Sequence, residues 1–167
     1  PYITKSTVKA LLARVYLYMQ DWEKARDYAT QVIEDDYLQL SSAKTKYTSK
    51  LTHYQYMWKY DSASEIIWKV GFNTTSYGGA QGRVFLNYDN ISYKPDYVPA
   101  SWALNLYDQN DLRSESFFAQ KTTGYAHGLT WPLLVKYHGN EDFIKLNIYH
   151  VNMPKVFRLS EQYLIRA

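Results

Sequence analysis

The sequence predicts a mainly α-helical fold that opens with antiparallel helices and continues as irregular loops with a few short strands. Two observations predict the helical part: residues 2–70 contain neither proline nor glycine, and apolar residues recur within residues 4–35 at spacings of three and four. A third observation predicts the loops, because all seven glycines lie at or after Gly71. Helices are therefore expected first, and irregular structure after them.

The composition of the chain excludes several classes of protein. The 167 residues, of which 46% are hydrophobic, suffice for one folded domain or for part of a larger one. The absence of cysteine excludes a disulfide scaffold, a thiolate metal site and a cysteine nucleophile. The 19 basic and 16 acidic residues are interspersed, which does not indicate a nucleic-acid partner. No apolar run approaches the roughly 18 residues of a transmembrane helix.

Two helices are predicted at the start of the chain. The first covers residues 4–20, and its apolar positions are Val8, Leu11, Leu12, Val15, Tyr16 and Met19. The second covers residues 22–35 after the N-cap Asp21, with a predicted inner face of Trp22, Ala25, Ala29, Val32 and Ile33. Because the connection is very short, the helices are expected to lie antiparallel and adjacent. One tetratricopeptide unit places its residues as this hairpin places Ala13, Tyr16, Ala25, Ala29 and Val32. The alternative is a generic helical hairpin.

The rest of the chain is predicted to form shorter elements. Residues 66–72 alternate as in a strand, and the side chains predicted to face a core are Ile66, Trp68, Val70 and Phe72. Residues 73–100 are predicted to form a long loop, residues 101–109 a short helix and residues 133–137 a short strand. Trp22, Trp68, Trp102 and Tyr16 are assigned to the core.

The predicted organisation is a single partial domain over residues 1–167. It consists of a helical hairpin at residues 4–35, a loop-rich region with short strands and helices at residues 36–155, and the start of a further repeat helix at residues 156–167. The last segment shows helical spacing without a stop signal, so we expect the chain to be part of a longer protein.

The sequence shows no constellation that predicts catalysis or metal binding. The four histidines lack metal-ligand neighbours at the required spacing, and residues 78–83 lack the spacing of a phosphate-binding loop. A glycoside hydrolase would need two carboxylates facing each other across a cleft. The acidic pairs in the sequence fit a solvated helix end or loop better. We therefore predict no catalytic residue, no metal and no cofactor.

Several short motifs follow one another along the chain. They are Ala10-Leu11-Leu12-Ala13-Arg14-Val15-Tyr16, Asp21-Trp22-Glu23-Lys24-Ala25, Ser64-Glu65-Ile66-Ile67-Trp68, Leu106-Tyr107-Asp108 leading to Asp111-x-Arg113, Lys136-Tyr137, and Val156-x-Arg158-Leu159-Ser160-Glu161-x-Tyr163-Leu164-x-Arg166-Ala167. In their order and rough spacing these motifs resemble the SusD/RagB family of Bacteroidetes outer-membrane lipoproteins. The chain resembles a central segment of that family.

The resemblance implies a fold, a location and partners. The fold would be a fragment of a SusD-like α/α superhelix. Such proteins lie on the outside of the outer membrane, are held there by a lipid anchor outside this segment, and cover a SusC-like TonB-dependent transporter. They capture oligosaccharides, or peptides in some members, and pass them on for import. They are not enzymes, and the resemblance implies no cofactor and no nucleic acid.

The loop at residues 71–100 is predicted to contribute to ligand binding. Its six aromatic residues are interleaved with asparagine, glutamine and arginine. The body of a tyrosine can cover the apolar face of a sugar ring, while hydroxyls and amides bond the polar rim. The stacking candidates are Tyr77, Tyr88, Tyr93 and Trp131, and the polar candidates are Arg83 and Asn87. The alternative is that these aromatic side chains fasten the loop to the body of the protein.

Two further hypotheses concern the role of two arginines and an alternative function. Arg113 and Arg158 belong to the motifs, and we expect them to form structural ion pairs with Asp108, Asp111 or Glu161. The second functional hypothesis is a helical-repeat module that binds a protein or peptide. Exposed aromatic residues that converge on one site would favour glycan binding, whereas a groove lined by the helical pair would favour peptide binding.

Overall fold

The computed structural model describes residues 2–125 and 127–167, so Pro1 and Ala126 lie outside the described residues. The described residues form eight α-helices, one 3₁₀ helix and four short strands, which confirms the mainly α-helical prediction. In chain order the elements are α1 (Lys5–Tyr18), α2 (Trp22–Ile33), α3 (His53–Tyr60), β1 (Ile66–Lys69), α4 (Arg83–Leu86), α5 (Ser101–Leu104), α6 (Leu112–Phe117), β2 (Phe118–Thr122), β3 (Thr130–Leu134), the 3₁₀ helix (Val135–Tyr137), α7 (Glu141–Ile144), β4 (Lys155–Arg158) and α8 (Leu159–Arg166).

The chain forms two compact units whose segments alternate along the sequence. The first unit comprises the described residues up to 41, residues 62–71 and residues 153–167. It contains α1, α2, α8 and the strands β1 and β4. The second unit comprises the described residues of 42–61 and 72–152 and contains the other elements.

Each of the two helices that open the first unit begins after a residue whose side chain caps it, and for α2 this residue is the predicted Asp21. The hydroxyl of Thr4 accepts a hydrogen bond from the backbone N–H of Thr7 at 3.2 Å, and Thr7 completes a capping box. The carboxylate of Asp21 accepts from the backbone N–H of Lys24 at 3.2 Å. Between the helices, Gln20 has a φ of 61°, so a single left-handed residue reverses the chain.

The buried face of α1 differs from the predicted one. The buried residues are Ser6, Thr7, Ala10 and Ala13, and the large apolar residues that are exposed are Val8, Leu11, Val15 and Met19. Small residues are buried because they let α1 and α2 approach closely. Trp22 was predicted to lie in the core and is 62% exposed at the start of α2. Tyr16 stacks on Tyr28 of α2, with 5.6 Å between the ring centroids.

The strands β1 and β4 pair antiparallel next to the core of the first unit. Ile66 lies opposite Arg158 and Lys69 opposite Lys155, with an irregular register between these pairs. The irregularity breaks the strict alternation, so Ile67 is buried while Val70 is exposed, and the predicted phase of this strand is wrong. The core cluster consists of Ala10, Val32, Leu38, Ile67, Phe157 and Leu159.

The core of the second unit combines apolar side chains with buried polar ones. The buried apolar residues are Met57, Trp58, Leu86, Leu133, Phe143 and Val151. Asp61 is fully buried, and its carboxylate accepts a hydrogen bond from the side-chain amide of Asn140 at 2.9 Å. The amide of Asn152 donates to the backbone oxygen of Trp58 at 3.2 Å. These bonds tie the end of α3 to residues 140 and 152.

Two predicted elements of the second unit differ from the observed ones. The helix predicted at residues 101–109 ends at Leu104, and Trp102, which was assigned to the core, is 70% exposed. The strand predicted at residues 133–137 corresponds to β3, which ends at Leu134 before the 3₁₀ helix. β3 pairs with β2 in a regular antiparallel hairpin. Within the described residues, no helix combines the length and the hydropathy that a membrane span requires.

Candidate functional site

The predicted ligand-binding loop has a defined backbone. The turn at its tip is built by Asp89, whose carboxylate accepts hydrogen bonds from the backbone N–H groups of Ile91 and Ser92 at 3.0 and 2.8 Å. Lys94 pairs with the same carboxylate at 2.9 Å. The Lys94 ammonium and the two N–H groups hold the pKa of Asp89 well below its usual range. Asn90 takes a left-handed φ of 75°. The turn brings Tyr88 and Tyr93 opposite each other in an antiparallel bridge.

Tyr88 and Tyr93 stack on one another and form the centre of an aromatic cluster. Their ring centroids are 4.6 Å apart, with 28° between the ring planes. The ring of Tyr149 meets Tyr88 edge-on at 5.5 Å, and its hydroxyl donates to the side-chain oxygen of Asn90. We call Tyr88, Tyr93 and Tyr149 the loop tyrosine cluster. Tyr88 and Tyr93 are half-buried, so part of each ring is accessible.

Lys121 joins the loop tyrosine cluster to the β2–β3 hairpin. Its ammonium lies 5.3 Å from the ring centroid of Tyr93. In the hairpin Lys121 pairs with Trp131, and directly opposed residues project from the same face of a sheet. The indole N–H of Trp131 donates to the backbone oxygen of Pro99 at 3.0 Å. Three of the predicted residues, Tyr88, Tyr93 and Trp131, are therefore linked through Lys121.

The other three predicted residues, Tyr77, Arg83 and Asn87, do not belong to the loop tyrosine cluster. Tyr77 is 47% exposed, and its ring lies 6.1 Å from that of Phe143. Arg83 is exposed at the start of α4. Asn87 ends α4 in a left-handed conformation with a φ of 38°, and its backbone N–H donates to the carbonyl of Arg83 at 2.8 Å. No ring contact joins Tyr77 to Tyr88 or Tyr93 within the described part of the chain.

A cleft of about 260 Å³ lies in the second unit. Its walls come from α3, α6, β2 and the segment 135–139, and the lining residues are Leu51, Gln55, Trp58, Lys59, Glu115, Ser116, Ala119, Lys121, Val135, Lys136, His138 and Gly139. Lys121 lines the cleft and also lies beside Tyr93. The sequence did not predict this cleft, because its walls come from four separate parts of the chain. The only local signal was the motif Lys136-Tyr137.

Aromatic rings surround the ammonium of Lys136 at the wall of the cleft. The ammonium lies 4.1 Å from the ring centroid of Trp58, 4.5 Å from that of Phe117 and 5.3 Å from that of Tyr137. Cation–π attraction holds the charge in this position. Lys59, a second lysine of the cleft, pairs with Glu141 at 2.9 Å. The cleft therefore presents charged and polar groups on an aromatic base, a composition that suits a polar ligand.

A second group of tyrosines consists of Tyr56 and Tyr60 on α3 and of Tyr47, which precedes the helix. Tyr47 and Tyr56 have ring centroids 4.2 Å apart, and Tyr56 and Tyr60 stack at 4.5 Å. Tyr47 is 55% exposed. The spacing of four residues between Tyr56 and Tyr60 is a signal in the sequence that places both on one helix face. This group has a composition similar to that of the loop tyrosine cluster and therefore provides a control position for binding experiments.

The pH dependence of stability is expected to reflect His138. Burial, together with the neighbouring His150, lowers the pKa of His138 to about 4, and burial also lowers the pKa of His150. An unfolded histidine titrates near 6.5. Between pH 6.5 and 4 the unfolded chain binds protons that the folded chain does not, so stability falls as the pH drops through this window. The expected loss from His138 is on the order of 3 kcal/mol at pH 4.

Urea unfolding at pH 7 and pH 4.5 measures this effect. His138→Gln is expected to reduce the pH dependence, and His150, whose pKa is also lowered by burial, is expected to contribute to the remainder. His53→Gln, at an exposed position, is the control and should behave as the unmodified protein does. A His138→Gln variant that keeps the full pH dependence would contradict the assignment.

The fold is shared with segments of three solved structures, two of which are named as SusD superfamily or SusD-like proteins. The chain matches, over 99% of its length, 36% of a SusD superfamily protein from Bacteroides thetaiotaomicron VPI-5482, with a TM-score of 0.70 and 23% sequence identity. It matches 32% of a SusD-like carbohydrate binding protein from Bacteroides vulgatus ATCC 8482 over 98% of its length, with a TM-score of 0.65 and 18% identity. It matches 36% of surface glycan-binding protein A from Bacteroides uniformis, also over 98% of its length, with a TM-score of 0.65 and 16% identity. No family model and no curated protein sequence matches the chain.

These matches confirm the resemblance at the level of the fold. The chain spans about a third of the length of the three structures. Because all three sequence identities are below 25%, the matches show a shared backbone arrangement and do not show a shared ligand. The chain has the fold of a segment of the SusD-superfamily proteins.

Proposed function

We propose that this chain provides a glycan-binding surface in a SusD-like protein that captures oligosaccharides. The observation that carries the proposal is the loop tyrosine cluster, in which Tyr88 and Tyr93 lie together, partly exposed and beside Lys121. A sugar ring binds through its apolar C–H face to an aromatic ring and through its hydroxyl groups to nearby polar side chains. Asn90 and Lys121 supply such polar groups next to the cluster.

The ligand surface in this proposal consists of the predicted residues and the cleft beside them. Tyr88, Tyr93 and Trp131 provide aromatic contacts close to Lys121. Tyr77, Arg83 and Asn87 are proposed as additional contacts for a longer oligosaccharide. Two of the structures with the same fold carry names that describe carbohydrate or glycan binding, which supports the choice of ligand class.

The proposal extends to the context in which the protein works. A SusD-like protein would lie on the surface of the outer membrane, would be held there by a lipid anchor outside this segment, and would deliver its ligand to a SusC-like TonB-dependent transporter. The role is binding and delivery rather than catalysis. We also propose that α1 and α2 form a tetratricopeptide-like pair, and that α8 begins a further repeat within one partial domain.

A second candidate function is the binding of a protein or peptide by the helical pair. It is favoured by the exposed apolar row on α1, which consists of Val8, Leu11 and Val15. These side chains would bury apolar surface against a partner helix or an extended segment. Binding of peptides without binding of any oligosaccharide would favour this function over the first.

Isothermal titration of the purified protein with a panel of oligosaccharides tests the proposal. Tyr93→Ala is expected to weaken the binding of the tightest glycan at least tenfold, a loss of about 1.4 kcal/mol, because both the stacking surface and its packing against Tyr88 are removed. Tyr88→Ala is expected to act in the same direction.

The control is Tyr47→Ala, which removes an exposed tyrosine that packs against Tyr56 of α3. This variant should bind within twofold of the unmodified protein. Near-ultraviolet circular dichroism establishes that each variant is folded. Loss of binding in Tyr47→Ala with full binding in Tyr93→Ala would move the site to α3, and no binding of any oligosaccharide would refute the proposed function.

A further inference from the structure

The loop tyrosine cluster is attached to a buried histidine. The imidazole Nε2 of His150 accepts a hydrogen bond from the backbone N–H of Tyr88 at 2.8 Å. His150 is 4% exposed, so little water competes for this bond. The preceding residue, Tyr149, holds its ring edge-on to that of Tyr88 at 5.5 Å. Two consecutive residues therefore contact Tyr88, one at its backbone and the other at its ring.

The backbone of His150 is fixed on both sides. Its N–H donates to the backbone oxygen of His138, and its carbonyl accepts from the N–H of Gly82, both at 3.1 Å. Its φ of 66° lies in the left-handed region, which residues other than glycine adopt only where the surrounding structure determines it. The imidazole is therefore held towards Tyr88 by a defined backbone.

The hydrogen bond from Tyr88 requires one protonation state of His150. A ring nitrogen that accepts a hydrogen bond carries a lone pair, so Nε2 is unprotonated and the proton of the neutral ring lies on Nδ1. Within the described residues Nδ1 has no hydrogen-bond partner, so the bond from Tyr88 is the one that orients the ring. Protonation of Nε2 would set one N–H against another, and this bond would be lost.

The surroundings of the two buried histidines favour neutral rings. The ring centroids of His150 and His138 are 6.3 Å apart. Burial lowers the pKa of His150, and burial together with His150 lowers the pKa of His138 to about 4. The charged side chains that face the pair are Arg83, Lys59, Lys121 and Glu141. Of these four, only Glu141 favours a protonated ring, so neutral His150 is the stable form near pH 7.

We propose that His150 positions the loop tyrosine cluster through its neutral imidazole, so that protonation of Nε2 releases Tyr88 and weakens glycan binding. This inference rests on the proposed glycan-binding function and adds a regulation of the same site by pH. Tyr88 stacks on Tyr93 with 4.6 Å between the ring centroids, so a displaced Tyr88 backbone disturbs both rings. His150 touches no ligand in this proposal and acts only through Tyr88.

Nuclear magnetic resonance of the unmodified protein without ligand tests the geometry. Long-range ¹H–¹⁵N spectra are expected to show His150 as the Nδ1–H tautomer at pH 7.5. Between pH 7.5 and 4.5 the amide signal of Tyr88 should shift along the titration curve of the His150 ring, at pH values where near-ultraviolet circular dichroism shows folded protein. An Nε2–H tautomer, or a Tyr88 amide that does not follow this titration, would overturn the positioning role.

Calorimetric titration over the same pH range measures the effect on binding. The probe is the tightest binder among cellohexaose, xylohexaose and mannohexaose, which are neutral and do not titrate themselves. Affinity is expected to fall by up to about tenfold per pH unit below the pKa of His150, because binding then requires the release of one proton. By the same linkage, saturating ligand should lower the pKa of His150.

Substitution of His150 assigns the pH dependence to this residue. The amide oxygen of His150→Gln can accept from Tyr88 and does not titrate, so this variant should keep most of the affinity at pH 7.5 and lose the pH dependence. His150→Leu removes the acceptor and should weaken binding at least fivefold at pH 7.5. His53→Gln, at an exposed position, is the control and should keep the pH dependence of the unmodified protein.

The outcomes separate this inference from the proposed function. If an oligosaccharide binds with the same affinity across the titration of His150, or if His150→Gln keeps the full pH dependence, the glycan-binding function stands and the regulation is refuted. If none of the oligosaccharides binds, the glycan-binding function and its regulation are both refuted. The spectra of the free protein then still decide whether His150 positions the loop.

Discussion

Arg158→Met is expected to lower the free energy of unfolding by roughly 3 kcal/mol, because it leaves a buried carboxylate without its charged partner. That carboxylate belongs to Glu65, which is 2% exposed. One of its oxygens pairs with the guanidinium of Arg158 at 3.1 Å, and the other accepts a hydrogen bond from the backbone N–H of Ser41 at 2.8 Å. Without Arg158, a single backbone N–H would face a negative charge held away from water. Urea unfolding at pH 7 measures the loss.

The matched control is Arg113→Met, which removes an exposed ion pair instead of a buried one. Arg113 pairs with Asp111 at 2.6 Å and is largely exposed, so its removal is expected to cost less than about 1 kcal/mol. Adding Glu65→Gln to Arg158→Met removes the buried charge and should recover part of the lost stability. If Arg158→Met and Arg113→Met were equally destabilising, burial of Glu65 would not be the cause.

These two arginines show what the sequence could and could not predict. The pairing of Arg113 with Asp111 was predicted and is confirmed, since two residues of separation leave both within reach at the start of α6. The pairing of Arg158 with Glu65 was not predicted, because the two residues are 93 positions apart and meet only when β1 and β4 pair. Glu161, which was suggested as a partner, pairs with Arg14 of α1 instead.

The fold was also predicted where neighbouring residues determine it and was not predicted where residues distant in the sequence determine it. Helical spacing, together with the cap at Asp21, predicted α1 and α2 to within two residues at each end. The spacing could not show which face of α1 is buried, because the closeness of two helices is decided by small residues such as Ala10 and Ala13. Likewise, strict alternation failed in β1, where the irregular register buries Ile67.

Only part of the candidate site was predicted, because some of its contacts are local in the sequence and others join distant elements. Tyr88 and Tyr93 lie on either side of a four-residue turn, so their stacking follows from local sequence. The cleft and the role of Lys121 do not, because they depend on the packing of α3, α6 and β2. Composition could identify a loop rich in tyrosine, but only the fold brings the ammonium of Lys121 to within 5.3 Å of the Tyr93 ring centroid.

Gly82→Ala is expected to destabilise the second unit by about 3 kcal/mol or more, since overpacking against rigid backbone cannot be relieved by a rotamer change. A Cβ atom at this position would lie 1.7 Å from the backbone oxygen of Tyr137. The N–H of Gly82 also donates to the backbone oxygen of His150 at 3.1 Å, so the segment cannot move aside without losing this bond. Tyr137 lies between the cleft residues Lys136 and His138. We therefore expect urea unfolding to show a large loss of stability, and titration to show weaker binding of any ligand held by the cleft.

Gly79→Ala is the matched control, three residues earlier in the same loop. Apart from Gly79 itself and its two chain neighbours, no heavy atom of the described residues lies within 4 Å of the position that its Cβ would occupy. This substitution should leave stability unchanged or raise it by up to about 1 kcal/mol, because alanine restricts the unfolded chain more than glycine does. The sequence predicted a long loop over residues 73–100 and did not distinguish Gly82 from Gly79. A large difference between them would show that Gly82 is required by the close approach of Tyr137, and equal tolerance would contradict that packing.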